Sequence, residues 1–182
     1  MNIRLEDHYP KWSRTPLNKI MSLMNFILIA SGIIMALTFF FVVILRYIFH
    51  ADLFAYEEWL MMIAFWMFFL GGAVATHDQK HIKADIIGFL ITNPKTLYYR
   101  ALFVYCIELV ILIVIVYWGY LMISESIEAY PHWQETVALH IPFIIPRLGI
   151  VTGFFMMMVY TMLHIYALIQ CRNELNNTTH SN

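Results

Sequence analysis

The sequence predicts an all-α membrane protein, because it contains four apolar stretches that are each long enough to cross a bilayer as a helix. The chain of 182 residues is 61% hydrophobic, whereas soluble domains are about 45–50% apolar. Charged residues make up only 13% of the chain, and they collect between the apolar stretches. We therefore predict a single membrane domain over residues 1–182, with spans at about 20–45, 56–76, 101–123 and 142–169.

The first span follows a polar, basic lead-in and exceeds a hydrocarbon core of about 30 Å at about 1.5 Å per residue, so it should tilt or project. Arg46 closes this span. Glu57 and Glu58 lie in the first turn of the second span, where negative charge complements the helix dipole. Because a short loop brings these ends together, we expect Arg46 to pair with a glutamate, with Arg147 as a second possible partner.

The connection between the second and third spans predicts a short amphipathic helix on the membrane surface, over about residues 81–91. Its apolar residues share one helical face, formed by Ile82, Ile86, Ile87 and Leu90. Asn93 and Pro94 then predict the start of the next helix, with proline at its first position. The polar tail, residues 171–182, is predicted to be flexible.

The distribution of basic residues predicts that both termini are cytoplasmic, since lysine and arginine accumulate on that side. Only Arg46 and Arg147 fall on the opposite side, while the terminal side carries Arg4, Lys11, Arg14, Lys19, Lys80, Lys83, Lys95, Arg100 and Arg172. We therefore expect a multi-pass membrane protein whose N- and C-termini both lie in the cytoplasm. The opposite side is acidic, which suits a docking partner but is also what remains when basic residues are excluded.

Two ionisable residues fall inside the spans, where such groups usually face protein. Glu108 lies in the third span and His164 lies at a similar depth in the fourth. The two could meet as a buried polar pair that fixes helix register, or they could form a proton or ion relay. We favour the structural role, because one pair does not make a path.

Other kinds of chemistry are not indicated by the sequence. Cys106 and Cys171 form no metal-ligand spacing, and only one histidine lies inside a span, whereas membrane haem proteins need axial pairs. Phosphate loops and nucleophile motifs are absent from the sequence. We therefore expect no enzyme activity, no metal, no cofactor and no nucleic-acid partner.

Small and aromatic residues in the second and fourth spans indicate close contacts between helices. Gly149 and Gly153 form a GxxxG pattern, and Gly71 and Gly72 offer a similar surface. The bulky residues of the second span, including Trp59 and Trp66, form a broad surface that protein or lipid can cover. A transporter acting alone would need a polar site at mid-membrane, so these spans favour a scaffold or accessory subunit.

One ordered series of motifs resembles a known family. Leu45-Arg46-Tyr47 closes the first span and Glu57-Glu58 opens the second; then follow Trp66, Phe69-Leu70-Gly71-Gly72-Ala73 and His81-Ile82-Lys83-Ala84-Asp85. In order and spacing, this resembles the small membrane subunit of the tripartite ATP-independent periplasmic (TRAP) transporters. The detailed match covers about residues 45–90.

The resemblance implies sodium-coupled import of an organic acid, a carboxylate or acidic sugar. A periplasmic binding protein would capture the substrate, a large multi-span subunit would carry it in an elevator-like movement, and this chain would be the fixed scaffold in the lipid bilayer. The resemblance implies that Arg46, Glu57 and Glu58 order the outer end and that His81 and Asp85 set the cytoplasmic surface helix. The residues implied to pack helices or the large subunit are Trp66, Phe69, Gly71 and Gly72. The alternatives are a stand-alone membrane redox protein using haem or quinone, and a homo-oligomeric scaffold.

Overall fold

Four α-helices make up most of the structure, a computed structural model that describes residues 14–78 and 94–180. We label them α1 (Arg14–Tyr47), α2 (Tyr56–His77), α3 (Pro94–Glu128) and α4 (Ile144–His180). Each helix is long enough and apolar enough to cross a membrane. Within these residues, the prediction of an all-helical fold with four helices long and apolar enough to span a membrane is confirmed. The predicted surface helix over residues 81–91, with His81 and Asp85, lies outside the described residues.

The helices extend beyond the predicted spans at several ends. Pro94 occupies the first position of α3, as predicted, but the helix then continues directly into the span. The helix α4 reaches His180, through most of the tail that was predicted to be flexible. Hydropathy marks only where an apolar stretch ends, whereas a helix ends where the chain meets a breaker such as glycine or proline. Neither residue occurs in 95–100 or 170–180.

The helices form a row in which α2 and α4 are the central pair. The helix α1 packs against α2, and α3 packs against α4. The central pair runs parallel, and each outer helix runs antiparallel to its neighbour. The connections 48–55 and 129–143 therefore lie at one end of the bundle, which we call the loop end. The opposite end, where α1 and α3 begin and α2 and α4 finish, we call the terminal end.

The interior of the bundle is small, and most of the apolar surface faces outward. Its main cluster joins Met24 of α1, Leu70 and Ala73 of α2, and Tyr160 of α4. In the most apolar stretches of α2 and α4, 28% of the residues are buried, against 11% for α1 and 6% for α3. Apolar side chains in such numbers need a non-aqueous environment, so the chain is a multi-pass membrane protein whose outer helices are open to lipid or protein.

Candidate functional site

The interface between α2 and α4 is built on the two glycines of the GxxxG pattern. Gly149 lies against the indole ring of Trp66, since a Cβ placed on this glycine would lie 3.1 Å from the ring. Gly153 lies against the backbone of Phe69, where the same construction gives 2.7 Å to the carbonyl oxygen. The absence of side chains at both positions allows the two helices to approach closely. These four residues pack helices of this chain against each other.

The indole of Trp66 also makes a polar contact across this interface. Its Nε1 donates a hydrogen bond to the carbonyl oxygen of Ile145, over 3.1 Å. Ile145 lies one turn before Gly149, so the ring covers the glycine while its N–H satisfies the first turn of α4. The contact fixes how far α4 can slide along α2.

The other glycines that the sequence indicated have different surroundings. Gly72 faces the flexible end of Met157 on α4, and Gly71 is in ordinary contact with Leu28 of α1. Gly32 of α1 would meet nothing within 4 Å if it carried a Cβ. The small residues of α2 therefore contact both of its neighbours, whereas no described residue approaches Gly32 closely.

At the loop end, Glu58 holds the connection between α3 and α4. Its Oε1 accepts a hydrogen bond from the N–H of Ala138, and its Oε2 accepts one from the N–H of Leu139, both over 2.8 Å. Each carboxylate oxygen thus has its own backbone donor, and hydrogen bonds to an ionised group are among the stronger ones in proteins. The first turn of α2 is thereby attached to a loop that follows about 80 residues later in the chain.

The loop that Glu58 holds has a short internal framework. Backbone hydrogen bonds join Thr136 to Ile141 and Phe143 to Gln134, and the Thr136 hydroxyl accepts a further bond from the N–H of Ile141. His140 takes a positive φ of 52°, which turns the chain back toward α4. At the tip, the side chain of Val137 is 91% exposed.

At the same end, Arg147 of α4 connects this helix to α3 and to the loop between them. Its Nη1 donates to the Ser126 hydroxyl over 2.5 Å, and its Nη2 donates to Oε1 of Gln134 over 2.9 Å. The Ser126 hydroxyl in turn donates to the carbonyl oxygen of Met122. A cavity of about 170 Å³ lies beside this group. The sequence placed Arg147 at this end but gave no sign of its partners, because they come from separate elements.

The remaining charged residues of the loop end lie at its surface. Arg46 pairs with Asp52, over 3.3 Å, and both side chains are largely exposed, so the expected pair with a glutamate is not the one present. Exposed ion pairs contribute little to stability. Glu57 is exposed, whereas Trp59 is half-buried in the first turns of α2.

At the terminal end, His164 joins three helices. It is 3% exposed, and its Nε2 lies 3.0 Å from the carbonyl oxygen of Thr76 on α2. Because a carbonyl can only accept, Nε2 carries the proton in this bond. The imidazole also stacks on the ring of Tyr105 of α3, with centroids 5.6 Å apart and planes 5° from parallel.

Glu108 lies one helical turn from Tyr105 on the same face of α3. Its Oε1 accepts a hydrogen bond from the hydroxyl of Thr161 on α4, over 3.1 Å, and Thr161 lies one turn from His164. The predicted partners Glu108 and His164 therefore belong to one α3–α4 interface, but each makes its hydrogen bond to another residue. Beside them, the fully buried ring of Tyr160 meets His77 edge to face, at 5.1 Å.

A further contact continues the α3–α4 pair beyond the terminal end of α2. The guanidinium of Arg172 lies 5.0 Å above the ring of Tyr98 and donates a hydrogen bond to the Tyr99 hydroxyl, over 3.2 Å. Hydrogen bonds that Arg172 donates to Tyr98 and Tyr99 raise its pKa above the usual value, so it stays charged. In the sequence, Arg172 indicates only orientation, as one of the basic residues on the terminal side.

The polar contacts form two layers separated by apolar helix. The loop-end layer contains Glu58, Ser126 and Arg147, and the terminal-end layer contains Thr76, Glu108, Thr161 and His164. Eighteen residues separate the layers along both α2 and α3, which is about 27 Å at about 1.5 Å per residue. A bilayer core is about 30 Å thick, so the two layers match its two boundaries.

Two comparisons with known proteins bear on what this bundle is. No curated protein matches the sequence significantly. The family model of the DctQ component of the tripartite ATP-independent periplasmic transporters matches residues 34–171. These 138 of the 182 residues run from within α1 to the part of α4 just before Arg172, and they include both polar layers and the glycine interface. The chain therefore belongs to the DctQ family, the small membrane subunits of TRAP transporters.

Proposed function

We propose that the chain is the fixed, non-catalytic scaffold of a sodium-coupled transporter that imports an organic acid, either a carboxylate or an acidic sugar. The large multi-span subunit binds the substrate and sodium and moves across the membrane. A periplasmic binding protein delivers the substrate, and this chain keeps the moving subunit in place in a bacterial inner membrane. Membership of a transporter-subunit family, which is not a catalytic family, is the starting point of the proposal.

The scaffold role is supported by side-chain contacts that connect the helices at both membrane boundaries. Glu58 and Arg147 connect α2, α3 and α4 at the loop end, and His164 connects the same helices at the terminal end. Between the layers, Gly153 brings α2 and α4 into backbone contact. A subunit that must stay still while its partner moves benefits from connections at both ends, because each one opposes sliding and rotation of the helices.

The proposed orientation places the loop end in the periplasm, where the binding protein is. This rests on the charge asymmetry of the sequence. Three of the acidic residues at this end are engaged within the chain: Asp52 with Arg46, Glu58 with the loop backbone, and Glu135 with His140. The exposed carboxylates of Glu57, Glu125 and Glu128 and the tip of the loop at Val137 are the surface that we assign to docking.

Reconstitution of the three components tests this function. The binding protein is first screened for a thermal shift with a panel of organic acids, and uptake of the acid that binds is then measured in proteoliposomes with an imposed sodium gradient. We expect uptake only when this chain and the large subunit are both present, and loss of uptake when the gradient is abolished. Uptake by the large subunit and binding protein alone would contradict the scaffold role.

The doubly substituted variant Glu57→Ala, Glu58→Ala separates assembly from substrate capture. We expect it to impair assembly or uptake, because it releases the loop and removes exposed charge at the proposed docking surface. Substrate binding to the isolated binding protein should be unchanged, since this chain does not touch the substrate in the proposed mechanism. Normal assembly and uptake by the variant would refute the role assigned to this end.

A further inference from the structure

The outer surface of α3 carries three aromatic residues with hydrogen-bonding atoms. Tyr117, Trp118 and Tyr120 are 59%, 70% and 65% exposed. They lie on the side of α3 turned away from α4, because the contacts with α4 are made by Glu108, Gly119 and Ser126. Nothing in residues 14–78 and 94–180 covers them.

Along α3, Tyr117 lies midway between the two polar layers, and Trp118 and Tyr120 follow within one helical turn. Tyr117 is nine residues from Glu108 and nine from Ser126, the α3 members of the two polar layers. At about 1.5 Å per residue, each layer is about 13.5 Å away along the helix. Side chains in a helix lean toward its N-terminus, which for α3 is the terminal end. The side chains of Tyr117 and Tyr120 therefore lean away from the loop end, which is the nearer boundary for Tyr120. The ring of Tyr117 reaches neither boundary.

Lipid alone is a poor environment for this surface. The two tyrosine hydroxyls and the indole N–H make no hydrogen bond in the part of the chain that the structure describes. Acyl chains offer no acceptor, and polar groups left unpaired in hydrocarbon are unfavourable. Tryptophan and tyrosine of membrane proteins normally collect at the two interfaces. At the same depth, the exposed residues of the other helices are apolar: Ile33, Phe68 and Phe155.

We infer that this face of α3 is covered by a transmembrane helix of the large subunit that presents hydrogen-bond acceptors at mid-membrane. The acceptors must be hydroxyl, amide or free carbonyl oxygens. A subunit that carries the substrate has such groups at mid-membrane, where interrupted helices expose their carbonyls. Among the described residues outside α3, those that a second copy of this chain would expose at that depth are apolar. The inference rests on the proposed function, since it names the face through which the scaffold holds its partner.

Photocrosslinking in the intact complex tests the assignment. Trp118→benzoylphenylalanine and, as a control of similar depth and exposure, Ile33→benzoylphenylalanine are each co-expressed with the large subunit and irradiated in the membrane. We expect Trp118→benzoylphenylalanine to give a crosslink to the large subunit and Ile33→benzoylphenylalanine to give none. A crosslink to a second copy of this chain, adducts with lipid only, or equal yields at the two positions would overturn the inference.

The same experiment distinguishes the two levels of the proposal. If the unsubstituted chain does not co-purify with the large subunit, the proposed function itself fails. If it co-purifies but position 118 gives no crosslink to the large subunit, the function stands and only the assignment of this face is wrong.

Removal of the hydroxyl groups provides a second measurement that keeps the shape of the surface. Each of Tyr117→Phe and Tyr120→Phe should weaken retention of the large subunit in detergent about threefold, the effect of losing one interhelical hydrogen bond in a membrane. The control is Tyr47→Phe, which removes an exposed hydroxyl at the end of α1 and should change nothing. Retention of the double variant at the unsubstituted level would overturn the hydrogen-bonding role.

Discussion

The close contact at Gly153 gives the sharpest prediction about stability. In Gly153→Ala, the new Cβ would lie 2.5 Å from the Cβ of Phe69 and 2.7 Å from its carbonyl oxygen. Because these atoms belong to the backbone of α2 or are attached directly to it, no change of rotamer relieves the clash. The two helices must separate at this point.

The size of the effect follows from the distances. Carbon atoms in contact prefer about 3.5–4.0 Å, so the helices must move apart by about 1 Å. Overpacking of this kind costs about 1–3 kcal/mol, while alanine gains about 1 kcal/mol over glycine in a helix interior. Gly32→Ala is the matched control, since nothing lies within 4 Å of its new Cβ. Both variants gain the same helix propensity, so their free energies of unfolding should differ by about 1–3 kcal/mol.

Thermal unfolding of the purified variants in the same detergent measures this difference. A change of 1 kcal/mol shifts Tm by about 2–4 °C for chains of this size, so we expect Gly153→Ala to unfold at least 2 °C below Gly32→Ala. Equal Tm values would show that α2 and α4 can separate freely, and would refute the assignment of Gly153 to a tight interface.

Three further substitutions test the polar layers. Glu58→Gln places an amide N–H against a backbone N–H donor, so backbone hydrogen exchange in residues 134–143 should accelerate. The control Glu57→Gln changes an exposed neighbour and should leave this exchange unchanged, so equal exchange in both variants would count against the attachment of the loop to Glu58. Arg147→Lys replaces two directed hydrogen bonds by one ammonium group, so Tm should fall, and an unchanged Tm would show that the guanidinium is dispensable. His164→Phe preserves an aromatic ring but loses the hydrogen bond to the α2 carbonyl, which contributes about 1 kcal/mol to stability, so Tm should fall by about 2–4 °C. A stabilised variant would contradict the role of this bond.

Much of the architecture could be predicted from the sequence, because hydropathy records the need of each span for an apolar environment. The start of α3 at Pro94 was predictable for a local reason, since proline suits the first turn of a helix. The end of α4 was not, because residues 171–180 are polar but contain no helix breaker. Polarity there marks where the membrane stops, and the helix continues beyond it.

The contacts of individual side chains could be predicted only in part. The pattern of Gly149 and Gly153 indicated a helix interface, but it did not reveal that α2 was the partner. Glu58 was singled out for its position in a helix turn, whereas its hydrogen bonds are made to backbone about 80 residues away. Such partners depend on how the helices assemble, and one sequence carries no local signal of that assembly.

The two hydrogen bonds between Glu58 and the loop backbone affect how the loop sequence can evolve. Since the carboxylate holds the backbone N–H groups of Ala138 and Leu139, the position of the loop does not depend on which side chains these residues carry. Any residue except proline supplies the same donor. Under the proposed docking role, the amino acids at the tip are thus free to diversify to match a new binding protein, while the loop stays anchored to α2 in the same place.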